Sequence, residues 1–170
     1  YYNRGTAYGT KGEYNKAIED YSTVIAIGPK DAIATADVYY NRGVSYANQG
    51  EYDKAIEDFS KVIEIDPKNT AAYRQRGYYY FLKGKYAKAI EDYSKAIEID
   101  PKMADAYYLR GMAYGAQSEH NKEIEDYSTV IAIDPKGTKI YYNRGLAYTD
   151  RGEYDNAIED FSKVIEIEPQ

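Results

Sequence analysis

An arginine-glycine pair returns along the chain at Arg4-Gly5, Arg42-Gly43, Arg76-Gly77, Arg110-Gly111 and Arg144-Gly145, in steps of 38, 34, 34 and 34 residues. No other feature restricts the fold as much. A proline follows each of these glycines by 24 residues, at Pro29, Pro67, Pro101, Pro135 and Pro169, so one unit is repeated five times. The clearest copy runs from Ala71 to Pro101. In it Tyr73, Gly77 and Tyr80 recur at i, i+4 and i+7, one stripe of a first helix. Beyond the Lys83-Gly84-Lys85 break, Tyr86, Ala89, Ile90, Tyr93, Ala96 and Ile97 mark one face of a second helix. Two amphipathic helices joined by a short glycine turn make an antiparallel hairpin, and Asp100-Pro101 ends it because proline disfavours helix at the residue before it. A hairpin this short cannot bury its apolar face alone, which predicts a quasi-one-dimensional stack of copies rather than a sphere around one core.

The single irregular step leaves four extra residues in GPKDAIATADVYYNRG, Gly28 to Gly43. Four residues is close to one helical turn. The second unit's first helix is therefore expected to start early, with Asp31 as N-cap, and to gain a turn without changing face; a longer loop is the alternative.

Aromatic, glycine, tyrosine, alanine, aromatic and proline at fixed places in a 34-residue frame resemble the tetratricopeptide repeat. The pattern falls on Tyr73 (usually tryptophan), Gly77, Tyr80, Ala89, Tyr93, Ala96 and Pro101 in the third unit, and on Tyr107, Gly111, Tyr114, Tyr127, Val130 and Pro135 in the fourth. The resemblance covers nearly the whole chain. It implies an all-α, right-handed superhelical solenoid of about ten antiparallel helices. Residues 1–170 are expected to form one array, with repeats at approximately 1–30, 36–69, 70–103, 104–137 and 138–170. This chain departs from the family where a leucine usually precedes the glycine, because all five units carry arginine there. Each arginine is followed sixteen residues later by an aspartate, Asp20, Asp58, Asp92, Asp126 or Asp160. Five arginine-aspartate pairs setting hairpin register are expected, against the alternative that both groups are solvated. On the second helices Glu57, Glu91 and Glu159 precede Lys61, Lys95 and Lys163 by four residues, an order that favours an exposed helical face.

Composition limits the chemistry. There is no cysteine and a single histidine, His120, so neither a disulfide framework nor a metal cluster is expected. The net charge of -6 argues against a nucleic-acid backbone as partner, RNA-binding helical repeats included. No apolar run of about 18 residues predicts a membrane span, and no leader is visible. The chain starts at Tyr1 in mid-unit and stops just after a unit's closing proline, as an excised piece of a longer protein does. An enzyme needs a nucleophile or acid-base pair set apart from its background, and here nearly every polar residue recurs as scaffold. The expectation is a non-enzymatic chain with no cofactor, and nothing in it encodes a compartment beyond a default to the cytoplasm.

One unit breaks the pattern. In QSEHNKEIEDYS, Gln117 to Ser128, Ser118 replaces the turn glycine, His120 replaces tyrosine and Glu123 replaces the small alanine where the helices touch. A paired, pH-sensitive His120 and Glu123 is one reading. The preferred one is a loosened hairpin whose glutamate reaches out to water, since polar residues at interior positions usually find an exit.

The repeats also allow an internal comparison. Ile18, Ile56, Ile90, Ile124 and Ile158 hold one scaffold position, whereas the residue after the glycine reads Thr6, Val44, Tyr78, Met112 and Leu146. Three residues later stand Gly9, Ala47, Phe81, Gly115 and Thr149. By the family resemblance these first-helix positions line a concave groove that holds peptides. Its centre is expected at Arg74, Tyr78, Phe81 and Leu82, flanked by Tyr40, Val44, Tyr108, Met112 and Tyr142, with a peptide or helix bearing apolar anchors and one acidic group as ligand. The family's clamp for C-terminal carboxylates matches at Asn3, Asn41 and Asn143 but has tyrosine where its first lysine belongs. Self-assembly is the alternative role, through uncapped terminal helices at Tyr1 to Lys11 and Tyr154 to Ile167.

Overall fold

The computed structural model describes residues 1–28 and 31–168. Among the described residues there are ten helices and no strand: α1 (Tyr2–Thr10), α2 (Tyr14–Ile27), α3 (Ala32–Asn48), α4 (Tyr52–Ile65), α5 (Thr70–Leu82), α6 (Tyr86–Ile99), α7 (Ala104–Gly115), α8 (His120–Ile133), α9 (Thr138–Asp150) and α10 (Tyr154–Ile167). They form two compact units, Tyr1–Tyr80 and Phe81–Gln170, with α5 beginning in the first and ending in the second. Within the first, α1 packs on α2, α2 on α3 and α3 on α4; within the second, α6 packs on α7, α7 on α8, α8 on α9 and α9 on α10.

Each hairpin turns on one left-handed residue. Gly12, Gly50, Gly84 and Gly152 all have φ between 69° and 80°. The residue after the turn then donates back across it, as in Glu51 N–H to the Tyr46 carbonyl at 3.0 Å, which closes a six-residue helix stop. Between hairpins the stop is different: Asp66, Asp100 and Asp134 are extended, and each carboxylate accepts the N–H two residues on, at 3.1, 3.0 and 3.1 Å. This Asx turn explains why aspartate stands before Pro67, Pro101 and Pro135. Pro29 and Pro169 lie outside the described residues.

The four-residue insertion does extend a helix. α3 is 17 residues long against 13 for α9, and the Asp31 carboxylate caps it by accepting Ile33 N–H at 3.0 Å. The added turn is exposed through Ile33, while beyond it Val38 is buried against Ala17 and Tyr21 and Ala36 against Val62 and Ala72.

The glycine of the arginine-glycine pair has a steric reason. A Cβ at Gly43 would sit 3.2 Å from a ring carbon of Phe59, and one at Gly111 would sit 2.7 Å from a ring carbon of Tyr127. The rings lie on bare backbone. No helix is long and apolar enough to cross a membrane, and no group of three or more His, Cys, Asp or Glu is placed to hold a metal ion, both among the described residues.

Candidate protein-interaction surface

The arginines orient the first helices. Four of the five expected arginine-aspartate pairs lie inside one or other of the two compact units, and all four form. Arg42 Nε and Nη2 donate to Asp58 Oδ2 and Oδ1 at 2.8 Å each, Arg110 does so to Asp126 at 2.9 and 2.7 Å, and Arg144 to Asp160 at 2.8 and 2.7 Å. Arg4 holds Asp20 in the same way, at 2.8 and 2.6 Å. The remaining nitrogen, Nη1, reaches into the preceding unit: Arg42 donates to Ser22, Arg76 to Ser60 and Arg110 to Ser94 at 3.0 Å, and Arg144 to Ser128 at 2.9 Å. Each guanidinium also lies over two tyrosine rings, three residues before and four after it, as Arg42 does over Tyr39 and Tyr46 at 5.5 and 5.7 Å. Tyr-x-x-Arg-Gly-x-x-Tyr is therefore one device, which fixes hairpin register through aspartate and repeat stacking through serine.

Cover by the preceding hairpin changes the electrostatics. Burial pushes the Asp58 and Asp126 carboxyls up, against the pull of their arginines. At the start of the chain, where Arg4 is 60 % exposed, the hydrogen bond from Arg4 holds Asp20 below the usual carboxylate range.

With the arginines turned inward, the row expected to bind ligand is half scaffold. Tyr40 stands edge-on to Phe59 at 5.4 Å, Tyr108 tilts against Tyr127 at 6.0 Å and Tyr142 against Phe161 at 5.9 Å. Their hydroxyls tie units together, a role not read from the sequence: Gln75 donates to Tyr40 at 3.5 Å and Asn143 to Tyr108 at 3.2 Å, as Asn41 does to Tyr2 at 3.1 Å. The signal was present in the recurrence of an amide two residues before the glycine, and it accounts for Asn41 and Asn143 among the asparagines that match the carboxylate clamp. Val44 packs against Ala47, Ala55 and Phe59, Phe81 lies 5.3 Å from Tyr86, and Arg74 is half-buried. Tyr78 and Leu82 on α5, Tyr142 on α9 and its neighbour Leu146 stay exposed. The second-helix lysines pair forward rather than back: Lys61 meets Glu64 at 2.8 Å, and Lys95 and Lys163 meet Glu98 and Glu166 at 2.7 Å.

The pattern-breaking hairpin corrects an expectation. Glu123 does not reach out to water; only 12 % of its side chain is accessible, and His120 Nδ1 sits 2.9 Å from its Oε2. The exit was unnecessary because α7 makes room. A Cβ on Gly115 would lie 2.5 Å from Glu123 Oε1, so the large residue on α8 is matched by an empty position on α7. Burial, followed by the nearby Glu123 charge, pushes the Tyr127 phenol above its usual range. Beside this carboxylate opens a cleft of about 340 Å³ between α7, α8 and α9, with Met112 and Leu146 among its walls.

Comparison with known sequences and folds gives a uniform result. A family profile described as tetratricopeptide repeat matches residues 1–31, 36–69 and 138–170; others of the same description match 59–91 and 104–136, and one described as TPR repeat matches 77–118. The crystal structure of MamA is 32 % identical with a TM-score of 0.91, covering 98 % of this chain and 95 % of that one. A MamA fragment from Desulfovibrio magneticus RS-1 is 25 % identical with a TM-score of 0.88, covering 97 % and 91 %. YrrB, described as a TPR protein with an unusual peptide-binding site, aligns over 100 % of this chain and 86 % of its own at 20 % identity and a TM-score of 0.85, a likeness of fold. Among curated proteins no match was found.

Proposed function

Because the chain belongs to the tetratricopeptide repeat family, whose fold serves as a protein-interaction scaffold, we propose that it binds a short peptide or helical segment on the groove face of its first helices. One observation carries this reading. On the first helices, positions at which the repeats diverge leave large apolar side chains in water: Tyr78 is 39 % exposed, Leu82 45 % and Leu146 43 %. The first unit offers Tyr40, Val44, Arg74 and Tyr78, and the second Phe81, Leu82, Tyr108, Met112 and Tyr142. Aromatic anchors that are held by packing on one side and open on the other lose little entropy on binding, which suits them to carry affinity. YrrB, of the same fold, is described as having a peptide-binding site.

The test is selection of a phage-displayed random peptide library on the chain, followed by calorimetric titration of the enriched peptides. Tyr78→Ala or Tyr142→Ala is expected to weaken binding at least about tenfold. No enrichment, or enriched peptides indifferent to both changes, would sink the proposal.

A second reading has its own support. Ile158 on α10 is 62 % exposed, whereas its equivalents Ile56 and Ile124 are 8 % exposed under a following hairpin. Ile165 is likewise open. Such a face suits end-to-end stacking with another copy. Light scattering over a concentration series should then show an oligomer that the Ile165→Lys, Ile167→Lys double variant abolishes; a monomer at every concentration rejects it.

A further inference from the structure

The cleft between α7, α8 and α9 differs in kind from the rest of the groove face. Four units place alanine where Glu123 stands: Ala17, Ala55, Ala89 and Ala157. Glu123 has been built in together with its space, since Gly115 is the residue that its carboxylate covers. Of the two carboxylate oxygens, Oε2 is engaged by His120 and Oε1 is the nearest atom over Gly115; Tyr127 also hydrogen-bonds the carboxylate, and Glu123, Gly115 and Tyr127 all line the cleft. Asn143, across the cleft on α9, spends its amide nitrogen on Tyr108, which leaves its Oδ1 as the acceptor. Asp150, two turns further along the same helix, brings a second carboxylate to the lining. Met112 and Leu146 supply apolar wall between these oxygens.

We infer that this cleft is a specificity pocket for a lysine side chain of the bound peptide, its ammonium held by Glu123 and Asp150 and its methylenes laid along Met112 and Leu146. The inference rests on the groove reading above and names what one position of that groove selects. An ammonium carries its donors on a compact charge, and Glu123 and Asp150 give the cleft two anionic acceptors. A long aliphatic stem under a charged head is the shape that mixed walls of this kind accommodate. An acidic or phosphorylated side chain would meet two carboxylates. A purely apolar one would strip water from Glu123 and Asp150 and return no hydrogen bond, which is the penalty that turns a polar pocket into a discriminating one.

The test uses the whole chain and fluorescein-labelled peptide pools of about twelve residues, degenerate except at a central position fixed as lysine, arginine, norleucine or glutamate. Norleucine keeps the stem and removes the charge. Anisotropy titrations are expected to show the lysine pool binding about tenfold tighter than the norleucine pool, with glutamate weakest. Glu123→Gln and Glu123→Ala should each erase the lysine preference by weakening the lysine pool, and Glu123→Ala should bind the norleucine pool at least as tightly as the unaltered chain does. The alanine variant keeps the fold because α1 and α2 already pack glycine against alanine at Gly9 and Ala17. Pools that bind without regard to charge, an arginine pool that outbinds lysine, or a lysine preference that survives both variants would overturn the pocket and leave the groove reading standing. Failure of every pool to bind would remove both.

Discussion

Hairpins α3–α4 and α7–α8 share a frame and differ at one end of it. Both are clamped by arginine on aspartate, Arg42 on Asp58 and Arg110 on Asp126, at nearly the same distances. Both wedge that arginine between two tyrosines. Towards the turn they part: Ala47 and Ala55 meet in one, Gly115 and Glu123 in the other, and the turn residue is Gly50 in one and Ser118 in the other. The clamp holds the hairpin at its middle, so the end near the turn is free to trade side chains provided that volume is conserved across the interface. A binding feature can be added there without disturbing the stack.

The largest effect should come from breaking the shared part. Arg110→Met strands Asp126 in a buried site and should cost about 3–5 kcal/mol in chemical denaturation, and Arg42→Met should cost a similar amount through Asp58. Arg110→Met combined with Asp126→Leu should recover most of the loss, since an apolar pair needs no compensation. Arg4→Met, at a clamp no preceding hairpin covers, should matter far less. Similar losses at Arg4 and Arg110 would mean that cover by a preceding hairpin plays no part.

The clamps should also separate by pH. Arg4 depresses Asp20, so the contribution of that pair is present above the unfolded carboxylate value and is lost as pH falls through the folded one. Burial raises Asp58 and Asp126, so the folded chain keeps their protons where the unfolded chain has released them. The stability linked to these two is full below the unfolded value and declines as pH rises through the folded one. Carboxyl carbon shifts followed by NMR should place Asp20 below and Asp58 and Asp126 above the ordinary value of about 3.9. The reverse order would undo the argument from cover.

Glycine at the clamp should be nearly as intolerant. Gly111→Ala drives a Cβ to 2.7 Å from a Tyr127 ring that is fully packed, and about 1–3 kcal/mol should be lost. Gly43→Ala, where the approach is 3.2 Å, should lose less. Gly115→Ala tests the divergent end instead. It presses on the Glu123 carboxylate, and Glu123→Ala should rescue it by recreating the Ala47 and Ala55 arrangement, with a coupling of about 1 kcal/mol in a double-mutant cycle. Independent effects at the two positions would deny that the exchange is matched.

Much of this frame was legible in the residues. The period announced the hairpins, Asp31 announced the longer α3, and the sixteen-residue spacing announced the clamps, because each follows from local rules that hold wherever the unit recurs. What escaped were partners in the neighbouring repeat. The arginine-to-serine bonds run back 16 or 20 positions and the amide-to-tyrosine bonds span 35 or 39, each into the preceding repeat, and only the stacking of repeats places these residues together. Glu123 was misjudged for a related reason. Its place was weighed against the average unit, in which alanine faces a side chain, whereas its own unit carries Gly115 opposite. The proposed groove was located by divergence and by family resemblance, neither of which says which residues pack, and Tyr40 and Tyr108, at a position where tyrosine recurs, rest on Phe59 and Tyr127.

The smallest effect should be a gain, at the turn. Ser118 is the only residue other than glycine with positive φ among the described residues, at 59°, and it closes the same helix stop, with Glu119 N–H on the Tyr114 carbonyl at 2.9 Å. A side chain in that region costs about 1–2 kcal/mol, and a glycine there returns part of the gain as entropy of the unfolded chain. Ser118→Gly should therefore raise stability by about 0.5–1 kcal/mol, read as a shift of the denaturation midpoint at constant slope. The peptide affinity of the α7–α9 cleft should not change, because Glu123 is positioned by Gly115 and His120 rather than by the turn. A stabilised variant with altered affinity would show instead that the strained turn and the cleft act as one element, and that serine was kept at 118 for the cleft.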